Sequence, residues 1–280
     1  MIKNSDSLKA KLRNLSNETN IPSNYLLQSF MFEKLLKRIS LSNHKEQFII
    51  KGGMLLTSIF GVDLRSTMDL DATLKGTVLT IETITDIFND LINMNSADNI
   101  TFEIIAVKEI MAENERGGYC VNLKATFDNL WTHIMVDITS GEVITYKEIE
   151  FSYKTLFDNE TISILSYNYE TILAEKYEAI ISRNIDNSRM KDYYDVYMFV
   201  NLKWNNVDKK TLTQAINNTF QNRNTTNYLK DSVEIIKKIE NSNHIKKLWL
   251  EYQEKYDYAK DINFKEVMSA IKTIKGAIRL

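Results

Sequence analysis

The stretch KGGMLL at residues 51–56, followed closely by TMDLD at residues 67–71, is the strongest indication of the fold of this chain. The apolar residues just before it predict a buried strand, the two glycines a tight turn, and residues 54–60 a short helix. Such a turn points backbone N–H groups toward the N-terminal end of a helix, where a phosphate binds favourably. We therefore expect Gly52 and Gly53 to form a phosphate-binding turn.

Residues 67–74 alternate between apolar and polar side chains, which is the period of a half-buried strand. Asp69 and Asp71 therefore point the same way, with Cα atoms about 6.6 Å apart. Carboxylates at this spacing can share a divalent cation, and they disfavour each other's charge without one. Separately, Asp-x-Asp and Gly-Gly are common on solvated strands and in ordinary turns. Together, in this order, they predict a nucleotide site in which backbone donors hold a triphosphate and carboxylates hold Mg²⁺.

A second alternating strand, predicted at 132–139, places His133, Met135 and Asp137 on one face. If this strand lies beside 67–74 in a mixed sheet, Asp137 reaches the same edge and is a candidate third metal ligand. The alternative is an ordinary aspartate near a strand end, ahead of a Ser-Gly turn. We interpret His133 as a packed histidine, because Mg²⁺ prefers oxygen ligands.

The composition is that of a globular protein, and it excludes several classes. The 280 residues are 44% hydrophobic and 26% charged, which is enough for two cores and unlike a disordered chain. The single cysteine, Cys120, makes no internal disulfide, and no Cys/His cluster has zinc spacing. No stretch is apolar enough to span a bilayer, so we expect a cytoplasmic protein that does not engage membranes. A net charge of −2 gives no overall electrostatic footprint for nucleic acid.

The order of predicted elements indicates an α+β fold in which helices flank a mixed sheet and a helical half follows. Only 8 glycines and 1 proline interrupt the chain, which favours long helices. We place two domains at 1–165 and 166–280, because the later part reads as one helix after another. The predicted helices are 5–16, 22–39, 54–60, 79–95, 169–183, 189–199, 208–221, 226–241, 243–257 and 264–278, with short strands at 143–151 and 161–165.

Charged residues occupy unexpected positions in the helical half. Lys176 falls within the apolar stripe of the helix predicted at 169–183. Either its stem packs while the ammonium reaches water, or the stripe lines a cleft and the ammonium meets a phosphate. In the next helix Asp192 and Asp195 share a face at a spacing of three residues. An acid in the first turn of a helix also complements the helix dipole.

Four short motifs stand in one order along the chain: KGG at 51–53, RSTMDLD at 65–71, LAEK at 173–176 and RMKDYYD at 189–195. On these motifs the sequence resembles the AbiEii/AbiGii toxin family, nucleotidyltransferase-like toxins of bacterial toxin–antitoxin and phage abortive-infection systems. The resemblance implies a nucleotidyltransferase fold whose helical C-terminal half completes an active-site cleft. It also implies a growth-arresting role and a cognate antitoxin encoded alongside, whose direct contact with the toxin stays open.

The resemblance assigns roles to the residues that match its motifs. The matches are Gly52 and Gly53 to the glycine motif, Asp69 and Asp71 to the metal carboxylates, Lys176 to the third motif and Asp192 to the fourth. Lys176 thereby becomes an expected phosphate contact, and Asp192 a group that orients or deprotonates the acceptor. The wider superfamily usually has Gly-Ser where this chain has Gly-Gly, so we expect Thr67 to supply the hydroxyl contact to phosphate. Asp137 matches none of the four motifs.

The expected reaction is Mg²⁺-dependent transfer of a nucleoside monophosphate from an NTP to an acceptor hydroxyl, such as the 3′ end of tRNA. GTP and CTP are both candidate donors. The expected phosphate-binding residues are Lys51, Gly52, Gly53, Arg65, Thr67 and Lys176, and the expected metal ligands are Asp69, Asp71 and Asp137. Two alternatives stay open. One is nucleotidylation of a small molecule, as in aminoglycoside-modifying relatives of the fold, and the other is a non-catalytic GTP-binding switch that acts on a protein partner.

Overall fold

The structure is a computed structural model that describes residues 2, 4–61, 67, 69–95, 98–110, 117–158 and 160–278. Its strands are β1 (Phe48–Lys51), β2 (Asp69–Leu74), β3 (Ile100–Ile110), β4 (Gly118–Phe127), β5 (Leu130–Thr139), β6 (Ile149–Lys154) and β7 (Thr161–Ser166). Its α-helices are α1 (Ser5–Thr19), α2 (Ser23–Leu41), α3 (Gly52–Phe60), α4 (Ile81–Ile92), α5 (Tyr169–Arg183), α6 (Met190–Leu202), α7 (Lys209–Asn222), α8 (Thr226–Lys230), α9 (Ser232–Asn241), α10 (Asn243–Lys255) and α11 (Phe264–Ala277). By its contacts the chain divides into two units, residues 1–142 with 148–166 and residues 143–147 with 167–280.

The first unit is built on a mixed sheet with the strand order β3-β4-β5-β2-β1-β7-β6. Strand β2 pairs in parallel with β5, and β1 pairs in parallel with β7, while the other neighbours are antiparallel. The expected α+β architecture with a mixed sheet and flanking helices is confirmed. The strand that carries Asp137 lies directly beside the strand that carries Asp69 and Asp71.

One face of this sheet forms the core of the first unit. On β2 the side chains of Leu70 and Ala72 are buried, and on β5 those of Ile134 and Val136 are buried. Helix α2 packs against β5 and β7, and α4 packs against β3. Because side chains alternate along a strand, the aspartates of β2 and β5 lie on the opposite face.

The second unit is helical. Helix α5 packs against α6 and α7, and α6 also packs against α11. Aromatic rings fill the space between these helices, as with Tyr177 of α5 against Phe220 of α7, whose ring centroids are 6.2 Å apart. No helix within the described ranges is both long enough and apolar enough to cross a membrane.

The short segment 143–147 belongs with the helical unit. The side-chain amide of Asn168, just before α5, donates hydrogen bonds to the carbonyls of Thr145 (2.9 Å) and Lys147 (3.2 Å). These carbonyls are therefore taken up by a helix cap and not by a neighbouring strand. The prediction of a strand over 143–151 is wrong for its first residues, since β6 begins at Ile149.

Several other boundaries differ from the sequence prediction. Strand β2 begins at Asp69, later than expected, and α4 ends at Ile92, earlier than expected. The first helix continues to Thr19 and is ended by a left-handed residue, Asn20. The helix predicted at 226–241 is two helices, α8 and α9, because the backbone at Asp231 (φ −88°, ψ 5°) leaves the helical range.

Candidate active site

A continuous row of side chains crosses the polar face of the sheet. The strand pairings place Lys51 of β1 opposite Asp71 of β2, Asp71 opposite Asp137 of β5, Asp137 opposite Cys120 of β4, and Cys120 opposite Lys108 of β3. Neighbouring Cα atoms in such a row lie about 5 Å apart. We call these five residues the carboxylate row, and Asp69 adjoins it two residues before Asp71 on the same strand.

Glycine is required at positions 52 and 53 because the side chains of Asp71 and Thr67 lie very close to the start of helix α3. Gly52 has a positive φ of 65°, and a Cβ at this position would lie 2.5 Å from Asp71 Cγ. A Cβ on Gly53 would lie 2.5 Å from the hydroxyl oxygen of Thr67. The backbone N–H of Gly53 donates to Asp71 Oδ2 at 3.3 Å. Without Cβ atoms, the N-terminus of α3 thus meets a carboxylate and a hydroxyl directly, and its dipole favours negative charge there.

Like charges surround Asp137. Burial raises the pKa of Asp137 above its ordinary value, and the charges of Asp71 and Asp69 raise it further, against a hydrogen bond from Cys120 and the charge of Lys51. Burial also raises the pKa of the Cys120 thiol to about 12, and Asp137 contributes to that increase. The thiol therefore stays protonated at neutral pH and acts as a hydrogen-bond donor, not as a nucleophile.

Lys51 is held by an acid that the sequence analysis missed. Its ammonium forms an ion pair with Glu142 and donates to Thr139 Oγ1 at 2.9 Å, and the Thr139 hydroxyl donates to Glu142 Oε2 at 2.8 Å. Burial by itself would raise the pKa of Glu142, but the Lys51 charge and the hydrogen bonds from Lys51 and Thr139 lower it below its ordinary value. Glu142 follows the end of β5 and belongs to no periodic pattern, so this contact could not be predicted from the sequence.

The donor chemistry of the row suits a hard divalent cation. Asp69, Asp71 and Asp137 offer carboxylate oxygens, which Mg²⁺ prefers, and their mutual repulsion favours a cation among them. In the part of the chain that the structure describes, however, no three His, Cys, Asp or Glu side chains form a group that could hold a metal ion. The ligand types are therefore present, while a closed metal site is not formed by these side-chain positions.

The helical unit contains a second charged group, which we call the Lys176 cluster: Lys176, Arg183, Arg189, Asp192 and Asp195. The Lys176 ammonium lies 2.7 Å from Asp192 Oδ1 and 3.1 Å from Asp195 Oδ2. Arg189 Nε lies 3.3 Å and Arg183 Nη1 3.9 Å from the other oxygen of Asp192. The ammonium of Lys176 thus points to carboxylates within its own unit, which neither interpretation of the sequence anticipated.

The structure places most of the predicted site residues in two groups. Lys51, the two glycines, Thr67 and the three aspartates come together in the first unit, and Lys176 and Asp192 come together in the second. Arg65 lies outside the described residues. His133 is exposed, so its interpretation as a packed histidine is wrong. Its ring Nδ1 lies 3.2 Å from Asn122 Oδ1 on the polar face of the sheet.

Carboxylates beside a helix N-terminus that glycines leave open are the groups with which nucleotidyl-transferring enzymes hold metal and triphosphate. The family model described as nucleotidyl transferase AbiEii toxin, type IV toxin–antitoxin system, matches residues 34–270. The chain therefore belongs to the AbiEii family of nucleotidyl transferase toxins, which confirms the resemblance found in its motifs. Membership implies a nucleotide substrate and a cognate antitoxin. No curated protein matches the sequence.

Three solved structures illustrate how far the likeness extends. A candidate nucleotidyltransferase from H. pylori is 11% identical, with 91% of this chain and 96% of that chain covered and a TM-score of 0.47. JHP933 from Helicobacter pylori is 10% identical, with 91% and 94% covered and a TM-score of 0.48. An antigenic nucleotidyltransferase-like protein from Paracoccidioides brasiliensis is 14% identical, with 71% and 93% covered and a TM-score of 0.37. Similarity at this level supports no conclusion about activity.

Proposed function

We propose that this toxin transfers a nucleoside monophosphate from an NTP to the 3′ hydroxyl of an RNA such as tRNA, in a Mg²⁺-dependent reaction that arrests growth and serves defence against phage. The observation that carries the proposal is the carboxylate row beside the N-terminus of α3. Carboxylates that repel one another favour a divalent cation, and helix N–H groups favour phosphate. Nucleotidyl transfer needs both at one place.

In this reaction the acceptor oxygen attacks the α-phosphorus of the NTP and its proton passes to water. A new phosphorus–oxygen bond forms, and the bond from the α-phosphorus to the bridging oxygen of the β-phosphate breaks, releasing pyrophosphate. When bound, Mg²⁺ would be held by Asp69, Asp71 and Asp137 and would neutralise negative charge on the phosphoryl oxygens. The aspartates would act as metal ligands and take no proton from the acceptor.

The triphosphate is held by groups around the start of α3. The N–H groups at Gly52 and Gly53 supply backbone donors, and the Thr67 hydroxyl, which lies against Gly53, supplies a side-chain donor. Lys51 contributes positive charge from its position at the end of the carboxylate row, where Glu142 and Thr139 hold it. We assign Arg65 to the same phosphates, because it stands two residues before Thr67.

The Lys176 cluster supplies the cationic part of the second unit. Three cations lie in this cluster, and the Arg189 side chain is 52% exposed while its Nε contacts Asp192. We assign phosphate contacts to Lys176 and Arg189. Asp192 is almost fully buried beneath them, so we assign it to positioning these two cations and not to deprotonation of the acceptor.

The test is incubation of the purified protein with each α-labelled NTP in turn, Mg²⁺ and total bacterial RNA. We expect label to enter RNA with one preferred NTP, GTP and CTP being the first to try, and pyrophosphate to be released in equal amount. Asp69→Asn and Asp71→Asn should each reduce transfer by about a thousandfold or more, because each removes a proposed metal ligand. Expression of either variant should no longer arrest growth.

Asp86→Asn is the matched control, since Asp86 is exposed on α4 and should leave the rate unchanged. Label in an aminoglycoside or another small molecule, with none in RNA, would replace the RNA acceptor by the small-molecule alternative. Tight NTP binding without pyrophosphate release would favour the non-catalytic switch. Full activity of Asp71→Asn would remove the carboxylate row from the mechanism.

A further inference from the structure

The polar face of β5 carries large exposed side chains beyond the carboxylate row. Trp131, His133 and Met135 stand at alternate positions of β5 from Asp137 and are exposed, so they share the face of Asp137. Trp131 is 57% exposed and Met135 is 41% exposed. A solvated sheet face usually carries smaller polar or charged side chains, so an exposed line of large side chains indicates a binding surface.

Residues of β4 complete this surface. Asn122 is paired with Met135, and Lys124 with His133, across the antiparallel ladder. The ammonium of Lys124 lies 5.5 Å from the centroid of the Trp131 ring, and the rings of Trp131 and His133 meet edge to face at 5.6 Å. We call Asn122, Lys124, Trp131, His133 and Met135 the open strip. The side chains of Asn122, Lys124, Trp131 and His133 already contact one another, which limits the ordering cost of binding.

The open strip is joined to the carboxylate row by the register of the sheet. Met135 is paired with Asp69, the next outward position on β5 is Asp137, and Asp137 is paired with Asp71. Trp131 and Asp137 lie six positions apart on β5, which corresponds to about 20 Å along the strand. A surface of that length matches an extended chain and exceeds what a single small acceptor occupies.

The chemistry of the open strip matches unpaired nucleotides. An exposed indole stacks on a base of any sequence, a lysine beside it meets a phosphate, and imidazole and amide groups bond to base edges. We propose that the open strip binds the unpaired nucleotides that precede the 3′ end of the RNA acceptor, so that the terminal hydroxyl lies toward Asp137. This proposal rests on the proposed function and names the part of the protein that recognises the acceptor.

The first test is steady-state kinetics of Trp131→Ala with bulk bacterial tRNA as acceptor. We expect the KM for tRNA to rise about tenfold or more, from the loss of one base–aromatic stack. The KM for the NTP, and kcat at saturating tRNA, should stay unchanged. Trp131→Phe should restore most of the affinity, and Tyr228→Ala, which removes an exposed aromatic from α8, should change nothing. An unchanged KM for tRNA in Trp131→Ala would overturn the proposal.

The second test reads binding without catalysis. A ten-nucleotide single-stranded RNA with a free 3′ hydroxyl, added without NTP, should quench tryptophan fluorescence in the wild type and not in Trp131→Phe. Trp249 is buried and Trp204 lies beneath Lys209, so both supply a constant background. Because Lys124 is the cation of the open strip, Lys124→Met should reduce the slope of log affinity against log salt by about 0.7.

These outcomes separate this proposal from the proposed function. Quenching that depends on Trp131, with no label transferred to RNA, would support the open strip and contradict RNA as the acceptor. Transfer to RNA with equal quenching in wild type and Trp131→Phe would support the function and overturn the open strip. Label in small molecules alone, with no quenching by RNA, would overturn both.

Discussion

In the first unit Asp71 and Asp137 stand opposite each other on β2 and β5, whereas in the second unit Asp192 and Asp195 both face Lys176. The first pair has another carboxylate, Asp69, close by, and burial with these charges raises the pKa of Asp137. The second pair is more deeply buried, with side chains 2% and 0% exposed, yet a lysine lies within 3.1 Å of both acids.

The difference between the two groups shows which of them an added cation would stabilise. Ionised acids that face cations are compensated within the protein, and removing a partner leaves a buried charge without compensation. Acids that face acids are made more stable by an added cation or by loss of one charge. The Lys176 cluster should therefore contribute to the stability of its unit besides the phosphate contacts proposed for Lys176 and Arg189, and the carboxylate row should contribute to metal binding and chemistry.

Removing the cation shared by the two buried acids should change stability most. Lys176→Met keeps most of the stem but leaves Asp195 and Asp192 without their ammonium. We expect the free energy of unfolding to fall by about 3–5 kcal/mol, measured by urea denaturation at pH 7. Lys237→Met is the matched control, because Lys237 is 61% exposed in a pair within α9 and should change stability by less than about 1 kcal/mol.

The double variant Lys176→Met with Asp195→Asn tests whether the lost stability comes from uncompensated charge. Removing one acid along with the cation should recover part of the lost stability, because fewer uncompensated charges stay buried. If Lys176→Met were as stable as the exposed control, the cluster would not be a compensated group. The contrast with the carboxylate row would then be lost.

Glu33 of α2 shows a third way to bury an acid, which is to keep it protonated. Burial raises the pKa of Glu33 to about 8, against a hydrogen bond from the N–H of Leu156 (2.8 Å) and the charge of Lys34. The folded state therefore holds a proton that the unfolded chain releases near pH 4.5. The contribution of this bound proton to the free energy of unfolding is complete below pH 4.5. It is lost as the pH rises to about 8, at up to about 1.4 kcal/mol per pH unit.

Glu33→Gln should flatten that dependence, because glutamine keeps the acceptor for Leu156 and has no proton to lose. The measurement is the free energy of unfolding, obtained from urea titrations between pH 5 and pH 8. It should fall by a few kcal/mol in the wild type and by far less in the variant. Glu46→Gln, at a side chain that is 73% exposed, should follow the wild type. Parallel curves for wild type and Glu33→Gln would mean that Glu33 is ionised in the folded protein.

Much of the first unit could be predicted because its patterns are local. Alternation along residues 67–74 and 132–139 determines which side chains share a face. Gly52 and Gly53 indicate a turn where another group can approach the backbone closely. The pairing of β2 with β5 was a hypothesis from these patterns. The pairing of Asp71 with Asp137 in that register follows from the sheet.

Contacts between distant parts of the sequence were not predictable in the same way. Lys176 and Asp192 lie on different helices, and their ion pair depends on how α5 and α6 pack. Glu142, the partner of Lys51, lies after the end of β5, in a segment that has no hydrophobic periodicity. Residues 143–147 have strand-like composition, but the cap residue Asn168 takes up their carbonyls, so tertiary hydrogen bonds override local propensity.

The smallest expected effect on stability comes from the carboxylate row itself and has the opposite sign to that of Lys176→Met. Asp137→Asn removes one of the neighbouring negative charges, so we expect the free energy of unfolding to stay level or rise by up to about 1 kcal/mol at pH 7. The melting temperature should be measured with EDTA, so that bound cations do not contribute. Asp192→Asn is the control from the other group and should lower the melting temperature, because it leaves Lys176 and Arg189 with less compensation. A drop of several degrees in Asp137→Asn would show that the charges of the row are as well compensated as those of the Lys176 cluster, and the distinction between the two groups would fail.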